Sequence, residues 1–123
     1  MSTSAIANDL VALCREGKNL EAIEKYYSND IVSVESASSP DMPAEMRGID
    51  AIKGKNKWWF ENHEIHSAEA NGPYVGENQF AVEFKIDFTF KPTGKRAQMS
   101  EMGLYTVKDG KIVHEHFYYN AGA

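Results

Sequence analysis

The chain has 123 residues, a net charge of -5 at pH 7 and 42% hydrophobic side chains. This length and apolar content suit one globular domain, residues 1–123, with a single hydrophobic core. The acidic balance and the lack of an arginine-rich run argue against nucleic-acid binding, and the single cysteine excludes an intramolecular disulfide.

The first ten residues carry neither the basic segment nor the apolar stretch that a secretory signal needs. No other run in the sequence is long and apolar enough to cross a membrane. The sequence therefore predicts a soluble, cytoplasmic protein that binds neither nucleic acid nor membranes.

Two short helices are predicted at the start of the chain. Apolar residues recur at helical spacing from Ile6 to Cys14, and Gly17 can end that helix. Asn19 can cap the second helix. The residues that we expect this second helix to bury are Leu20, Ile23 and Tyr27.

A short strand is predicted over residues 31–35, and a loop follows over residues 36–46. The loop contains small polar residues and two prolines, and its apolar residues have no period. We expect this loop to cover part of the entrance to a pocket.

A third helix is predicted over residues 50–62. Its inner stripe would consist of Ile52, Asn56 and Trp59, with His63 just beyond the helix as a further candidate. Lys53, Lys55 and Lys57 alternate along the same helix and do not share one stripe, so we expect all three to be solvated.

The remainder of the chain is predicted to be strands. Residues 63–75 form a weak strand, and residues 79–90 alternate cleanly between apolar and polar side chains. Residues 91–95 turn the chain into a last hairpin, residues 97–119. We therefore predict an α+β fold of the cystatin-like roll type. In it, a cone-shaped, curved antiparallel sheet carries three helices on its concave face and leaves room for a pocket.

The register of the last hairpin is predicted from its turn. Asp109 and Gly110 suit a two-residue type I′ turn, so Lys108 should face Lys111 and Leu104 should face Glu115. On this count Glu115 shares a face with Ser100, Met102, Leu104, Phe117 and Tyr119. The opposite face would carry Glu101, Gly103, Tyr105, His114, His116 and Tyr118.

Three strings carry a family resemblance: GKNLEAIEKYYSNDIV at residues 17–32, MRGIDAI at 46–52 and DGKIVHEHFYY at 109–119. With the order of the elements, they resemble the nuclear transport factor 2-like superfamily and, within it, the SnoaL-like proteins. The resemblance implies the cone fold and a homodimer formed through the sheet. The superfamily includes ketosteroid isomerases, polyketide cyclases, epoxide hydrolases, dehydratases and binding modules, so the fold alone does not choose a function.

The resemblance can be carried over to single positions. Ketosteroid isomerases place their catalytic base at the end of the first strand, where this chain has Glu35. Their oxyanion tyrosine would fall at Val11, and their second oxyanion donor, an acid, would fall near Leu104. The resemblance thus implies a base at Glu35 and a different means of stabilising a substrate oxygen.

We predict that Glu35 and Glu115 are a catalytic pair in one largely apolar pocket. Burial and mutual repulsion would raise the pKa of at least one carboxyl, and an acid beside a base suits proton transfer next to a carbonyl. In the alternative interpretation, Glu35 lies in the loop and Glu115 is partly solvated or bonded to a backbone amide. The predicted ligand-binding residues are Asn56, Trp59, Ser100, Phe117 and Tyr119.

His114 and His116 share a face, and Glu101 on the neighbouring strand could supply a third metal ligand. Because we assign that face to the outside of the sheet, we predict a surface or subunit contact and no metal. The leading hypothesis is cofactor-free acid/base chemistry on a small-molecule ligand. The alternative is a non-catalytic ligand-binding or dimerisation module.

Overall fold

The computed structural model describes residues 2–38 and 42–120. Its helices are α1 (Thr3–Arg15), α2 (Asn19–Tyr26) and α3 (Ile49–Asn62). Its strands are β1 (Tyr27–Val34), β2 (Glu45–Arg47), β3 (His63–Val75), β4 (Gln79–Phe90), β5 (Lys95–Lys108) and β6 (Lys111–Tyr118). Within these two ranges no helix is long and apolar enough to cross a membrane.

The six described strands form one sheet in the order β2-β1-β6-β5-β4-β3. Neighbouring strands are antiparallel except β1 and β6, which are parallel. The helices pack on one face of this curved, open sheet, and the predicted α+β fold is confirmed. The parallel pair matters for the site because it places the end of β1 beside the second half of β6.

Helix α1 begins where the Ser2 hydroxyl accepts a hydrogen bond of 3.1 Å from the Ala5 amide. Gly17 adopts a positive φ of 74° and ends this helical region. Helix α2 buries Ala22, Ile23 and Tyr26. The predicted burial of Leu20 was wrong: Leu20 is exposed, because the buried stripe of this helix starts at Ala22.

Strand β4 confirms the predicted alternation. Phe80, Val82 and Phe84 are buried against the helices. The Phe80 ring stacks on Tyr105 of β5, with ring centroids 4.8 Å apart. Cross-strand neighbours share a face of a sheet, so this contact shows which face of β5 points into the core.

The register of the β5–β6 hairpin changes close to its turn, between Val107 and Thr106. Asp109 and Gly110 both have positive φ, and Lys108 faces Lys111, as predicted for the type I′ turn. Beyond Val107, however, Thr106 pairs with His114 and Tyr105 pairs with Glu115. The predicted register is therefore wrong by one residue from this point onward.

A β-bulge at Val113 is the cause. Val107 pairs with Ile112 and Thr106 pairs with His114, so Val113 is one extra residue in β6. A shift of one residue exchanges the two faces of the partner strand. The inner face of β5 consequently carries Glu101, Gly103 and Tyr105, and its outer face carries Ser100, Met102 and Leu104.

Candidate active site

The helices and the inner face of the sheet enclose a cavity of about 740 Å³. This volume lies within the range of small-molecule binding sites. Much of its wall is apolar and includes Leu10, Ile23, Ile52, Trp59, Phe84, Ile86, Met99 and Phe117. The predicted pocket is therefore present.

Polar side chains converge in this cavity. They include Glu35, Lys55, Asn56, Glu101, Glu115 and Tyr119. Glu35 and Glu115, which are 80 positions apart in the chain, thus line the same cavity. The parallel pairing of β1 with β6 brings them together, since Ser33 faces Glu115 and Glu35 follows two residues later.

A continuous hydrogen-bond network joins these groups. The Lys55 ammonium donates to Glu35 Oε2 at 2.9 Å and to Ser33 Oγ at 2.6 Å. The Ser33 hydroxyl donates in turn to Glu115 Oε2 at 2.6 Å. The Tyr119 hydroxyl donates to Glu35 Oε1 at 3.0 Å. One ammonium and one hydroxyl therefore connect the two carboxylates.

Glu115 is almost completely buried, with 2% of its surface exposed. Burial raises the pKa of its carboxyl, whereas the Lys55 charge and the hydrogen bonds from Ser33 and Tyr27 act in the opposite direction. The Tyr27 hydroxyl donates to Oε1, so both carboxylate oxygens already have a donor. Because Glu115 and both of its donors are buried, Glu115 suits the role of orienting Lys55 through Ser33 better than that of exchanging protons with a ligand.

Glu101 also lines the cavity and was not predicted to lie there. Burial raises its pKa to about 8, and the charges of Glu35 and Glu115 add to the effect. Its carboxyl therefore holds a proton at neutral pH. Across the described ranges it has no hydrogen-bond partner, so it can donate that proton to a ligand.

The β4–β5 hairpin contained a signal that Glu101 points to the inside of the sheet. The loop between β4 and β5 pairs Phe90 with Lys95, and counting back from this pair places Phe84 opposite Glu101. Because Phe84 belongs to the apolar face of β4, this count assigns Glu101 to the inside of the sheet.

The prediction that Lys55 is solvated was wrong. Its side chain is 16% exposed, and its ammonium lies 5.5 Å from the centre of the Phe117 ring. Lys55 follows Ile52 by three positions and precedes Trp59 by four, so it belongs to the inner stripe of α3. In contrast, the side chain of Lys57 is 77% exposed and pairs with Glu61.

Four of the five predicted ligand-binding residues line the cavity: Asn56, Trp59, Phe117 and Tyr119. The Asn56 amide makes no hydrogen bond to any described residue, which leaves it available to a ligand. Trp59 is held in place by His63, whose ring stacks on it at a centroid distance of 3.7 Å. Ser100 lies outside the cavity, because the bulge turns it to the exposed outer face.

His114 and His116 lie on the outer face, with their ring centroids 6.3 Å apart. Glu101 points to the opposite side of the sheet, so the register rules it out as their common third ligand. No group of three or more potential metal ligands is present in the described part of the chain.

The loop that was expected to cover the pocket entrance includes residues 39–41, which lie outside the described residues. Its first residue, Ser36, is anchored by a hydrogen bond of 2.8 Å from its hydroxyl to the carbonyl of Phe117. On the other side of the loop, the Ala44 carbonyl accepts a hydrogen bond of 2.8 Å from the Glu35 amide. These contacts fix the backbone on both sides of Glu35.

Comparison with known proteins gives a consistent set of similarities. A family model of the SnoaL-like domain matches residues 1–119. A structure from Mesorhizobium loti, provisionally named a SnoaL-like polyketide cyclase, aligns with a TM-score of 0.91 and 48% identity over 97% of this chain and 100% of that chain. A search of curated protein sequences found no match.

More distant structures share the fold. An NTF2-like protein from Burkholderia thailandensis aligns with a TM-score of 0.81 and 19% identity, over 98% of this chain and 92% of that chain. A protein with a cystatin-like fold from Xanthomonas campestris aligns with a TM-score of 0.77 and 16% identity, over 97% and 91% of the two chains.

Proposed function

We propose that this chain, which belongs to the SnoaL-like domain family through a model that matches residues 1–119, is an enzyme that moves protons on a small, largely apolar organic molecule. The substrate carries a carbonyl or hydroxyl group, and the reaction is an isomerisation, cyclisation or hydration that needs no cofactor. One observation carries the proposal: a base, Glu35, and a protonated acid, Glu101, line the same largely apolar cavity.

In this proposal Glu35 removes a proton from carbon next to the substrate carbonyl. Lys55 and Tyr119 each donate to one of its oxygens, and so hold the carboxylate in place. Glu101 returns a proton to the substrate. Glu115 orients the network without exchanging protons, because it is almost completely buried and its two donors, Tyr27 and Ser33, are buried core residues.

The substrate oxygen is bound by the polar groups that remain available in the cavity. The Asn56 amide has no partner in the described ranges, and Tyr119 can share its hydroxyl between Glu35 and the ligand. The name of the Mesorhizobium loti relative gives both polyketide cyclase and carbohydrate phosphatase. The first of these fits the proposal, since cyclisation of a polyketide also begins with proton removal beside a carbonyl.

Deuterium exchange tests this proposal without requiring the natural substrate. Enolisable ketones of graded size are incubated with the protein in D2O, and the exchange of the protons beside the carbonyl is followed by NMR. We expect exchange with at least one apolar ketone. Glu35→Gln should lower the exchange rate by about a hundredfold or more, the usual contribution of a general base.

The matched control is Glu61→Gln, which changes an exposed glutamate of α3 and should leave the rate unchanged. Ligand binding, followed by quenching of tryptophan fluorescence, to which Trp59 in the cavity wall contributes, should survive in Glu35→Gln. Wild-type protein that exchanges no ketone, or a Glu35→Gln variant that exchanges as fast as wild type, would contradict the proposal.

A non-catalytic ligand-binding module is the second candidate. It is favoured by Val11, which occupies the position of the oxyanion tyrosine of ketosteroid isomerases and lies buried in the core. In that case a metabolite would remain bound during purification and could be identified by mass spectrometry. No ketone would then undergo exchange.

We also propose that two copies associate through the outer face of the sheet. Half-buried apolar side chains of this face include Val32, Val34, Met102 and Leu104. Beside them the ring of His116 stacks on that of Tyr118 at 4.1 Å. Sedimentation velocity should detect a dimer at micromolar concentration, and Leu104→Lys should convert it to a monomer.

A further inference from the structure

We propose that Lys55 stabilises the negative charge that develops on the substrate oxygen, and that the substrates are therefore molecules that ionise to an enolate or a similar oxyanion. This inference rests on the proposed function and narrows its substrate class. Compounds that would react through a carbocation are excluded, because a fixed ammonium would disfavour their transition state.

The position of Lys55 suits this role. Its ammonium lies in the cavity beside the proposed base, 2.9 Å from Glu35 Oε2. An ammonium has three N–H donors, and two of them are used, by Glu35 and Ser33. The third has no acceptor among the described residues, so it is available to a substrate oxygen.

The attraction between the Lys55 ammonium and the substrate oxygen increases as the proton is transferred. When the substrate C–H bond breaks, its proton passes to Glu35, and the electron pair of that bond shifts toward the carbonyl oxygen. Glu35 thereby loses its charge just as the oxygen gains one. Lys55 loses its ionic partner in the same step, so its attraction to the substrate is greatest in the transition state.

The inner side of the network keeps the ammonium in place throughout. A buried charge that loses its partner is strongly destabilised, and Glu35 is neutral after it has accepted the proton. Glu115 continues to balance Lys55 through the Ser33 hydroxyl. Lys55 also supplies a hydrogen-bond donor for the substrate oxygen. Helix α1 supplies none at Val11, because valine has no hydroxyl.

A binding experiment with 4-nitrophenol tests this role separately from turnover. The phenol and the phenolate absorb at different wavelengths, so the ionisation state of the bound molecule can be measured directly. Glu35→Gln imitates the base after it has accepted a proton. We expect this variant to bind the phenolate about tenfold or more tightly than wild type, as expected for a hydrogen bond to a charged group.

Lys55→Met in the Glu35→Gln background should remove this preference, whereas Lys57→Met in the same background should retain it. Lys57 is the matched control because it lies on the same helix and is exposed. Lys55→Arg provides a second test in case Lys55→Met does not fold. It keeps the positive charge and should therefore retain most of the preference for the phenolate. Bound nitrophenol that is neutral in Glu35→Gln, or a phenolate affinity that does not change in Lys55→Met, would overturn the inference.

The two proposals can fail independently. Phenolate binding that depends on Lys55, without exchange of any ketone, supports the oxyanion site and contradicts the enzymatic proposal. Ketone exchange that depends on Glu35, with phenolate binding independent of Lys55, contradicts the inference and leaves the proposed function standing.

Discussion

The Ser33 hydroxyl donates a hydrogen bond of 2.6 Å to Glu115 Oε2, and both residues are buried. The Oγ atom of Ser33 also accepts a hydrogen bond of 2.6 Å from the Lys55 ammonium. Because β1 and β6 pair in parallel with Ser33 opposite Glu115, the backbone itself fixes this link. A single hydroxyl therefore connects the core of the protein to the polar part of the cavity.

Ser33→Ala should weaken the fold. The substitution removes two charge-assisted hydrogen bonds and leaves Glu115 with an unsatisfied oxygen in the core. We expect the free energy of unfolding to fall by about 2–4 kcal/mol, measured by urea denaturation. Ser100→Ala is the control, since Ser100 is exposed on the outer face and its loss should change stability by less than about 0.5 kcal/mol. Equal stability of the two variants would contradict the role assigned to Ser33.

Glu101→Gln should stabilise the protein at alkaline pH. Burial raises the pKa of Glu101 from 4.5 to about 8 in the folded state. A raised folded-state pKa means that the contribution of this group to stability is complete below about pH 4.5 and is lost as the pH rises toward 8. Glutamine does not titrate, so the variant should gain stability relative to wild type across this window.

Urea denaturation of both proteins at several pH values between about 4 and 9 measures the difference. The advantage of Glu101→Gln should grow with pH and reach a plateau above the folded-state pKa. Glu61→Gln, which changes an exposed glutamate, should show no such trend. A constant difference between wild type and Glu101→Gln would show that Glu101 titrates as an ordinary surface acid.

The sequence predicted the fold and part of the cavity, because periodicity carries that information. The spacing of Ile52, Asn56 and Trp59 on α3 was enough to predict the inner stripe of that helix, and all three line the cavity. Lys55 shares this stripe but was expected to be solvated, because lysine usually is. A long side chain can bury its methylene groups and carry its ammonium to a distant partner, and that partner cannot be known from the helix alone.

The rest of the site depended on one residue of β6. Nothing in the string KIVHEHFYY marks Val113 as the extra residue of a bulge, yet the bulge decides which face of β5 points inward. Glu101 and Ser100 exchanged faces for this reason. The longer alternation of β4 fixes the register more reliably than the short turn at Asp109, since it constrains twelve residues.

Gly103→Ala should destabilise the protein and alter the cavity. A Cβ at this position would lie 3.0 Å from ring carbons of Phe117 and Tyr105 and 3.2 Å from a ring carbon of Phe84. Three packed rings cannot all withdraw, so we expect a loss of about 1–3 kcal/mol in the free energy of unfolding. Since Phe117 lines the cavity, ligand affinity should also fall.

Gly54→Ala is a matched control, for which we expect the free energy of unfolding to rise instead of fall. Gly54 lies within α3, and a Cβ there would meet no atom within 4 Å. Alanine favours a helix interior over glycine by up to about 1 kcal/mol, so this variant should be more stable than wild type. Denaturation of both variants under one set of conditions provides the comparison. A Gly103→Ala variant as stable as Gly54→Ala would show that the rings adjust freely.

The Cys14 thiol should report on occupancy of the cavity. It lines the cavity, and burial raises its pKa from 9.0 to about 12, with the charge of Glu115 adding to the effect. A higher pKa lowers the thiolate population but makes the thiolate more nucleophilic, and the net effect of this shift is alkylation about thirtyfold slower. Iodoacetamide should therefore modify the native protein at least that much more slowly than the protein in urea.

An apolar ligand that fills the cavity should slow this alkylation further, in proportion to its occupancy, and the protection gives a screen for ligands that does not depend on catalysis. The rate is measured by mass spectrometry, since each alkylation adds a fixed mass to the only cysteine of the chain. Protein in urea, with and without the ligand, controls for direct effects on the reagent. A native rate equal to that in urea would mean that Cys14 is open to solvent, and that the cavity does not shield the groups beside it.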